Sequence, residues 1–429
     1  MLFLHVSDIH FCTPDCNDPP NDPEQPFRTA LVNDVRARVS DFGPVDALIV
    51  TGDIAFKGAP DEYLAATKWL NDLADAAKCK IDRIFVVPGN HDVDRKVIEH
   101  SRAIQNAHRA ISESGSKEIE REFDRQMRDN TTGLALFGPI SAYNEFAKFY
   151  DCQVSPEKLC WRQDISLGDD VLLRLHGMTS TVLSGAIQKH GGQDDTRDSL
   201  YLSPRQTVLD PVPNVVNVTL SHHPHDWFRN CDEVEGALNA RSMIQFCGHK
   251  HKRRLTRDPD YIRLNAGAVN PERQEPGWQP GYNFVKIRVV GADVDRRLKF
   301  EVASLEWQSN PDLFKPAIDR NRNSIFEHWI ALPRVGTNKP NSGFVAAAPL
   351  PAEIVSEVAM SNTSTRNLIR RFWGLTVSQR LEITSAMGLI DADERSLPEL
   401  RRYSDIFKRA NDRNVLDQLV REVEKREGK

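Results

Sequence analysis

Five short clusters rich in aspartate, asparagine, glycine and histidine are the parts of this chain best equipped for chemistry. They read Asp8-Ile9-His10, Gly52-Asp53, Gly89-Asn90-His91-Asp92, Ser221-His222-His223-Pro224 and Gly248-His249-Lys250-His251. As metal ligands they offer two carboxylates, one amide carbonyl and four imidazoles from the spaced pairs, with no thiolate in the pattern. Such mixed nitrogen and oxygen ligands favour Mn, Fe, Zn or Co over Mg or Ca, which prefer oxygen alone.

The size of this ligand set predicts two ions. Seven ligands exceed the roughly four to six that one ion normally takes, whereas two ions that share a carboxylate could use them all. Two metals roughly 3.5–4 Å apart would share a hydroxide that is nucleophilic at neutral pH, and they would stabilise a phosphoryl transition state. Gly52, Gly89 and Gly248 permit the sharp turns that bring the side chains together.

Each cluster follows a short apolar run of the kind that forms a buried strand. The strand candidates are 2–6, 47–51, 84–87, 171–175, 215–220, 243–247 and 261–264. They are rich in Val, Ile, Leu and Phe, which is typical of central strands covered on both faces. Because ligands of α/β sheets bind at the carboxyl ends of strands, five strand ends with Asp, Asn and His indicate one site.

The remaining patterns up to about residue 307 fit the same α/β class. Residues 27–42 and 61–79 have helical periodicity, and 282–290 with 297–307 predict an antiparallel hairpin around Gly291. The stretch 94–150 is charged, mostly helical in pattern and lacks strong strands. We therefore expect it to be a helical insertion that projects from the sheet.

Composition excludes several classes of protein. The chain has 429 residues, 40% hydrophobic and 27% charged, with a net charge of −5, which is ordinary globular composition. That charge gives no support to a generic nucleic-acid-coating or membrane-surface protein, although a local basic patch such as Lys250–Arg254 remains compatible with it. No run approaches the ~18 apolar residues of a membrane span. The seven cysteines are sparse and odd in number, which predicts reduced thiols and a cytoplasmic protein.

The C-terminal part has a different texture. Residues 337–351 are rich in Pro, Gly, Ser, Asn and small residues, which is typical of a linker between a domain over 1–336 and a second one over 352–429. Residues 352–429 carry only helical signals, with capping boxes beginning at Thr376 and at Ser396. This segment holds none of the clusters, so we expect a helical bundle that binds a protein partner or self-associates.

The five clusters, in this order, resemble those of the calcineurin-like metallophosphoesterases over roughly residues 1–305. The resemblance implies a four-layer αββα sandwich of two mixed sheets with a dinuclear metal site. It implies that one metal is held by Asp8, His10 and His251, that the second is held by Asn90, His222 and His249, and that Asp53 bridges both.

The same resemblance assigns the remaining polar residues. His91 would contact the leaving oxygen or the phosphoryl charge without binding metal, and Asp92 would orient it. His222 is preferred to His223 as the ligand because the family's ligand lies two residues before the proline. His223 and His225 are candidates for lining the substrate pocket.

These residues predict a hydrolase in which a metal-bridging hydroxide cleaves phosphodiester bonds of a nucleotide or nucleic acid. Mn is the expected metal, ahead of Fe, Zn, Co and Ni. The alternatives are a phosphomonoesterase or protein phosphatase, or a signalling or defence scaffold whose C-terminal bundle recruits partners. That bundle resembles the effector-associated and adaptor domains of bacterial conflict systems in its QRLEI segment (379–383) and its last helical pattern, 410–420.

Overall fold

The computed structural model describes residues 1–187, 192–271, 279–292, 295–332, 368, 371–391, 393–396, 402–403 and 406–426. The chain divides into two compact units, Met1–Leu332 and Pro333–Lys429. The first unit contains two β-sheets, and every element described in the second is helical. Among the described residues no helix has both the length and the apolar character needed to cross a bilayer.

The first sheet mixes parallel and antiparallel pairing. Its strands are β1 (Leu2–Val6), β2 (Ala47–Val50), β3 (Ile84–Val86), β10 (Gly281–Val290), β11 (Arg297–Gln308), β12 (Leu313–Pro316) and β13 (Phe326–Ala331). The order is β12-β11-β10-β1-β2-β3, and β13 also pairs with β11. Strands β1, β2 and β3 are parallel, whereas β10 is antiparallel to β1 and to β11. The carboxyl ends of the three parallel strands therefore lie at one edge.

The second sheet has the same mixed character. Its strands are β4 (Cys160–Gly168), β5 (Val171–Met178), β6 (Val215–Ser221), β7 (Ile244–Cys247), β8 (Arg254–Arg257) and β9 (Ile262–Asn265). Their order is β4-β5-β6-β7-β9-β8. The four central strands are parallel, and β4 and β8 close the two edges in the antiparallel sense.

Helices cover the sheets and fill the insertion. Those described in the first unit are α1 (Gln25–Phe42), α2 (Pro60–Ala77), α3 (Arg95–Glu99), α4 (Arg102–Glu113), α5 (Ile119–Arg128), α6 (Asn130–Leu136), α7 (Ser141–Ala147) and α8 (Cys231–Arg241). Helices α3 to α7 make up the expected insertion over 94–150. Its residue Phe146 packs against Tyr63 of α2 with ring centroids 5.2 Å apart, so the insertion shares a core with the sandwich.

The two sheets pack face to face. Phe3 of β1 lies 6.0 Å from Phe246 of β7 between ring centroids, and Phe85 of β3 stacks on Trp161 of β4 at 6.1 Å. Helix α1 packs outside the first sheet, where Phe27 meets the Trp307 ring at 5.1 Å. Outside the second sheet, the last carbonyl of α8 accepts a hydrogen bond from β6. The layers therefore run αββα, which confirms the fold class expected from the sequence.

Every strand expected from the sequence is present, and the largest difference is β5, which continues to Met178. Strands β4, β8, β12 and β13 were not predicted. Strands β4, β8 and β12 lie at sheet edges, and β13 pairs with β11 alone. Many of the residues in these four strands are exposed or only half-buried. A fully apolar run identifies a strand that is buried on both faces. A strand with an exposed face does not need such a run, so its sequence does not stand out.

The second unit is a set of short helices around an aromatic core. Its described helices include Val377–Ala386, Ile406–Asp412 and Leu416–Glu424. The ring of Phe372 lies 5.3 Å from that of Tyr403. The capping box expected at Thr376 is present, since Thr376 and Gln379 each bond to the other's backbone. The expected linker 337–351 and the end of the capping box that begins at Ser396 lie outside the described residues.

Candidate metal centre

The five clusters meet at one edge of the sandwich. They follow β1, β2 and β3 of the first sheet and β6 and β7 of the second, so both sheets contribute side chains. Four overlapping groups of carboxylate and imidazole side chains occur there, and within each group the candidate ligand atoms lie within 4.8 Å of one another. The groups are Asp8, His10 and His251; Asp8, Asp53 and His222; His10, Asp53 and His91; and His222, His223 and His249.

Asp53 lies in the middle of the cluster. Its Oδ2 is 3.4 Å from His10 Nε2 and 3.1 Å from His222 Nε2. Its Oδ1 accepts a hydrogen bond from the backbone N–H of His91 at 2.8 Å. The side chain is almost fully buried, and although burial favours the neutral acid, the charge of His222 holds the pKa of Asp53 well below its usual value. One carboxylate oxygen therefore faces imidazoles from two different strands.

One side of the cluster is formed by Asp8, His10 and His251. Asp8 Oδ1 is buried and lies 3.3 Å from His251 Nε2, and beyond this contact it has no hydrogen-bond partner among the described residues. The His10 ring lies 5.4 Å from the His251 ring between centroids. A buried carboxylate oxygen without a hydrogen bond is costly unless a cation neutralises it. The geometry therefore fits a metal ion.

The other side is formed by Asn90, His222 and His249. Asn90 Oδ1 is 3.0 Å from both His222 Nε2 and His249 Nδ1, and the two nitrogens are 3.2 Å apart. Three potential electron-pair donors thus converge within hydrogen-bond distance. A metal ion could accept an electron pair from all three atoms at once. Hydrogen bonds among the same three atoms would instead require a proton between the two atoms of each pair.

Backbone carbonyls set the orientation of two of these imidazoles. His222 Nδ1 donates to the carbonyl of Thr51 at 2.8 Å, and His10 Nδ1 donates to that of Asn270 at 3.1 Å. The Nε2 atom of each neutral ring is then free of a proton and faces Asp53, as a metal ligand requires. Burial lowers the pKa of His222, but the charges of Asp53 and Asp8 outweigh burial and raise it to about 9. Cation binding would therefore release a proton.

The backbone of the cluster is unusual. Asp8, His10, Asp53, His249 and His251 have φ angles of 54°, 53°, 51°, 69° and 51°, in the left-handed region. Non-glycine residues adopt this region infrequently, and strain of this kind concentrates at functional sites. Gly89 is required for another reason: a Cβ there would lie 2.1 Å from Asp53 Oδ1. Close backbone approach is thus built into the loops after β2 and β3.

His91 lies at the mouth of the cluster. Its Nδ1 donates to the carbonyl of Phe56 at 3.1 Å, and its ring stacks on the Phe56 ring with centroids 4.7 Å apart. Burial lowers the pKa of His91, so the ring is mostly neutral near pH 7. Its carbonyl contact leaves Nε2 as the nitrogen available to a substrate.

Asp92 does not bond to this imidazole, which corrects the expectation that it orients His91. Its carboxylate accepts hydrogen bonds from the N–H groups of Ala55 at 2.9 Å and Gly89 at 2.8 Å, and from the Tyr63 hydroxyl at 2.8 Å. Burial and the nearby Asp53 raise the pKa of Asp92 to about 6. Asp92 therefore ties the loops after β2 and β3 together, and Phe56 orients the histidine.

His223 and His225 are both buried. His223 Nδ1 lies 2.9 Å from the Ser180 hydroxyl, and its Nε2 lies 3.5 Å from a carboxylate oxygen of Asp195. Burial lowers the pKa of His223 and that of His225. Neither residue lines the open cavity beside the cluster, in which Trp227 and His249 face the open space. Their assignment to substrate binding remains a prediction.

Two of the cavities beside the cluster are lined by His91. The one that we call the basic cavity has a volume of about 660 Å³ and reaches Asp53, Asn90 and Trp227. The other, the mixed cavity, has a volume of about 710 Å³ and reaches Phe56, Val93 and Gln193. A substrate on the cluster therefore has space on two sides of His91.

Sequence reasoning missed Phe56, Thr51 and Asn270. All three accept a hydrogen bond from an imidazole through their backbone carbonyl. Every residue has such a carbonyl, so the residue type gives no sign of this role. Arg197 and Trp227 of the basic cavity were also missed. Trp227 follows the His222 cluster by five residues and is an aromatic beside a strand end, which is a usable signal.

Comparison with known proteins gives two family matches. A family model described as calcineurin-like phosphoesterase matches residues 1–253, more than half of the chain. A second model, described as GTPase-associated adaptor domain, matches residues 364–425.

Individual relatives match less of the chain or match weakly. It is similar to the uncharacterized metallophosphoesterase-like protein YydB of Bacillus subtilis, with 35% identity over 101 residues. That match covers 22% of this chain and 18% of the relative, so the chain spans less than a fifth of that protein. Among solved structures it is similar to Vps29 of Chaetomium thermophilum, at 10% identity and a TM-score of 0.30, over 77% of this chain and 99% of that one. Vps29 of Entamoeba histolytica complexed with Zn²⁺ matches at 11% identity and a TM-score of 0.29, over 73% of this chain and 97% of that one.

Proposed function

The chain belongs to the calcineurin-like phosphoesterase family, and from its site we propose that it hydrolyses phosphoric esters with two divalent cations, preferring phosphodiesters. The observation that carries the proposal is the position of Asp53 Oδ2, 3.4 Å from His10 Nε2 and 3.1 Å from His222 Nε2. A carboxylate between imidazoles from two strands is the arrangement expected of a bridging ligand. Water adds across the P–O bond, its oxygen ending on phosphorus and its proton on the leaving oxygen.

The remaining ligands divide into two groups. Asp8, His10 and His251 would hold one cation, and Asn90, His222 and His249 would hold the other, with Asp53 shared. The unpartnered Asp8 Oδ1 and the three converging atoms around Asn90 support this division. Mn²⁺ is our first choice of metal, ahead of Fe, Zn, Co and Ni, because the ligands mix nitrogen with oxygen. When bound, such a pair supplies a water that is acidic enough to be nucleophilic at neutral pH, together with positive charge for the phosphoryl oxygens.

His91 is the proposed catalytic side chain outside the ligand set. Its contact with Phe56 holds Nδ1 and directs Nε2 toward the space between the two cavities. In the protonated form, Nε2–H can donate to a phosphoryl oxygen or to the leaving oxygen. Asp92 contributes indirectly, since it ties together the loops that carry Asp53 and His91.

The preference for diesters rests on the space beside His91. A diester places one group on each side of the phosphorus, and a cavity lies on each side of this histidine. A monoester, including a phosphoprotein, would fill only one of them. A nucleotide or nucleic acid diester is therefore the proposed substrate class.

Hydrolysis of bis-p-nitrophenyl phosphate and of p-nitrophenyl phosphate tests this preference. Protein stripped with chelator and reconstituted with Mn²⁺ should cleave the diester with the higher kcat/KM, and labelled DNA and RNA then test for nuclease activity. Exclusive cleavage of the monoester would show that the diester preference is wrong. Full turnover of the exhaustively chelated protein would contradict the metal-dependent reaction itself.

The second unit suggests a further role in protein interaction. Its match to a GTPase-associated adaptor domain supports a module that binds a protein or a second copy of the chain. In the rival function, a signalling or defence scaffold, this module is the main activity. Removal of residues 352–429 separates the two: turnover of a small diester should persist while recruitment or self-association, measured by light scattering and pull-down, should be lost. Absence of turnover from the intact, metal-reconstituted chain, together with recruitment that depends on residues 352–429, would favour the scaffold.

A further inference from the structure

The basic cavity carries an excess of positive charge next to the candidate metal centre. Five basic side chains line it, and Asp53 is its one carboxylate among the described lining residues; the basic residues are Arg197, Lys250, Lys252, Arg253 and Arg254. Their positions come from two separate parts of the chain, the loop before Ser199 and the segment from β7 to β8. The charge is therefore assembled by the fold, not only by a run in the sequence.

Some of this charge is neutralised and some is not. Lys250 bonds to Asp226 at 2.7 Å, and Arg197 lies 3.4 Å from the same carboxylate. Within the described part of the chain, Lys252 and Arg254 make no contact with a carboxylate, and both are exposed. Unpaired cations beside a concave wall attract anions more strongly than paired ones. Lys252 and Arg254 are thus the residues with charge to offer a ligand.

The mixed cavity on the other side of His91 is balanced. Lys57, Arg95 and Lys96 line it together with Asp94, Glu99 and Asp194. Arg95 Nη1 and Asp194 Oδ1 form an ion pair at 3.0 Å. The two sides of the same histidine therefore differ in charge although they are similar in volume.

We propose that the basic cavity binds further phosphate groups of an extended substrate, on one side of the ester that is cleaved, while the mixed cavity takes a part without extra charge. This inference rests on the proposed function, because it concerns the substrate of the same site. Trp227 adds an apolar wall, since its ring packs on His249 with centroids 4.0 Å apart and also lines the cavity. Cations together with an aromatic wall are suited to a phosphate chain that carries bases.

The same phosphate chemistry occurs in a single-stranded oligonucleotide and in a nucleoside triphosphate. Both present negative charge beyond the reacting phosphorus, and bis-p-nitrophenyl phosphate presents none. Comparing the three substrates therefore isolates the contribution of the extra phosphates, and the first two distinguish a polymer from a small polyphosphate.

The test uses the full-length protein and the double variant Lys252→Gln/Arg254→Gln. The matched control is Lys68→Gln/Lys286→Gln, which removes the same charge from exposed positions on α2 and β10 that line neither cavity. Binding of a fluorescein-labelled oligonucleotide of about ten nucleotides is measured by anisotropy in metal-free protein, over a range of salt, with a nucleoside triphosphate as competitor. Turnover is measured in parallel with Mn²⁺.

In the cavity variant we expect oligonucleotide affinity to fall on the order of tenfold at low salt, and the slope of log affinity against log salt to decrease by about one per charge removed. The ratio of kcat/KM for the oligonucleotide to that for bis-p-nitrophenyl phosphate should fall in step. Strong competition by the triphosphate would identify a small polyphosphate as the better ligand, and weak competition would identify the polymer.

Two outcomes would overturn the proposal. Unchanged affinity and salt slope in the cavity variant would show that these residues bind no phosphate. An equal loss in the control variant would show that only net charge matters. Because binding is measured without metal, a protein that binds the oligonucleotide through Lys252 and Arg254 but cleaves no ester would contradict the proposed function while supporting phosphate binding by these two residues.

Discussion

Left-handed backbone ends helices in both units of this protein, but among the described residues only the first unit also uses it at candidate metal ligands. In the second unit it ends helices: Gly388 at φ 62° follows the helix Val377–Ala386, and Asn414 at φ 55° follows the helix Ile406–Asp412. In the first unit it also ends helix α2, at Lys78 with φ 52°, and it occurs at strand ends in Asp8, His10, Asp53, His249 and His251. Glycine adopts this conformation freely, whereas asparagine, aspartate and histidine adopt it more readily than other residue types but still at a cost.

The hydrogen bonds around these turns differ between helix ends and strand ends. At the helix ends the turn satisfies backbone groups, as in the hydrogen bonds from Leu389 N–H to the Thr384 carbonyl and from Val415 N–H to the Ala410 carbonyl. At the strand ends the turn directs side chains at one another and leaves Asp8 Oδ1 with no hydrogen-bond partner beyond its contact with His251. At these helix ends the backbone groups pair locally, whereas the strand ends bring together buried carboxylates whose charge a bound cation would neutralise.

The most severe test is Asp53→Asn. Loss of the shared charge should empty or disorder both cation positions and lower kcat/KM for a small diester by on the order of ten-thousandfold, about 5 kcal/mol at the transition state. Metal content by mass spectrometry and steady-state rates check it. Asp164→Asn, which removes an exposed carboxylate paired with Arg174, is the control and should change neither. Two full equivalents of metal in the Asp53 variant would contradict the bridging role.

Gly89→Ala should have the next largest effect after Asp53→Asn, on the stability of the first unit and on metal binding. The added methyl would lie 2.3 Å from the backbone nitrogen of Asp53, and backbone cannot move aside cheaply. We expect a loss of about 3 kcal/mol in the free energy of unfolding of the first unit, together with weaker metal binding. Gly115→Ala is the matched control, because its methyl would meet nothing within 4 Å. Denaturant unfolding measures both, and equal stability of the two variants would show that the close approach is unimportant.

His91→Ala separates rate from metal binding. The variant should keep both cations and lose about a hundredfold or more in kcat, since it removes one donor and no ligand. His100, an exposed histidine just after α3, provides the control His100→Ala, which should leave the rate unchanged. Loss of metal from the His91 variant to the extent seen with Asp53→Asn would assign His91 to the ligand set instead.

Gly388→Ala is the smallest change and belongs to the second unit. Its positive φ should make alanine cost about 1 kcal/mol in the unfolding of that unit, with turnover of a small diester unchanged. Gly374→Ala, where no positive φ or close neighbour occurs, should cost less. Differential scanning calorimetry measures the unfolding of each of the two units. A loss of turnover in the Gly388 variant would show that the units are coupled in catalysis.

The convergence of the seven candidate ligands was predictable because each follows a buried apolar strand, and strand direction alone brings such ends together. The choice between His222 and His223 was not predictable from periodicity, since the residues are adjacent and equally buried and only their contacts differ. The role of Phe56 was not predictable because it holds His91 through its backbone carbonyl, which every residue has. Asp92 was assigned to His91 by adjacency, but a turn of the chain directs its carboxylate at three amides and Tyr63 instead.

The fold was predictable where hydrophobicity decides it. Strands such as β2 are wholly buried and apolar, so they stand out. Strands β8 and β13 are held by backbone pairing along exposed edges, and their side chains carry little of that information. Arg197 reaches the basic cavity from a loop far from β8 in sequence, and only the three-dimensional structure brings the two together.

The candidate ligands are shared out between the two sheets, with β1, β2 and β3 contributing from one and β6 and β7 from the other. A cation seated there would cross-link the two layers of the sandwich, and mass action would add about 2.7 kcal/mol of stability at a hundredfold excess over its dissociation constant. Metal starvation would then do more than stop turnover. It would leave the protein easier to melt and to digest, so its lifetime in a cell would follow the metal supply.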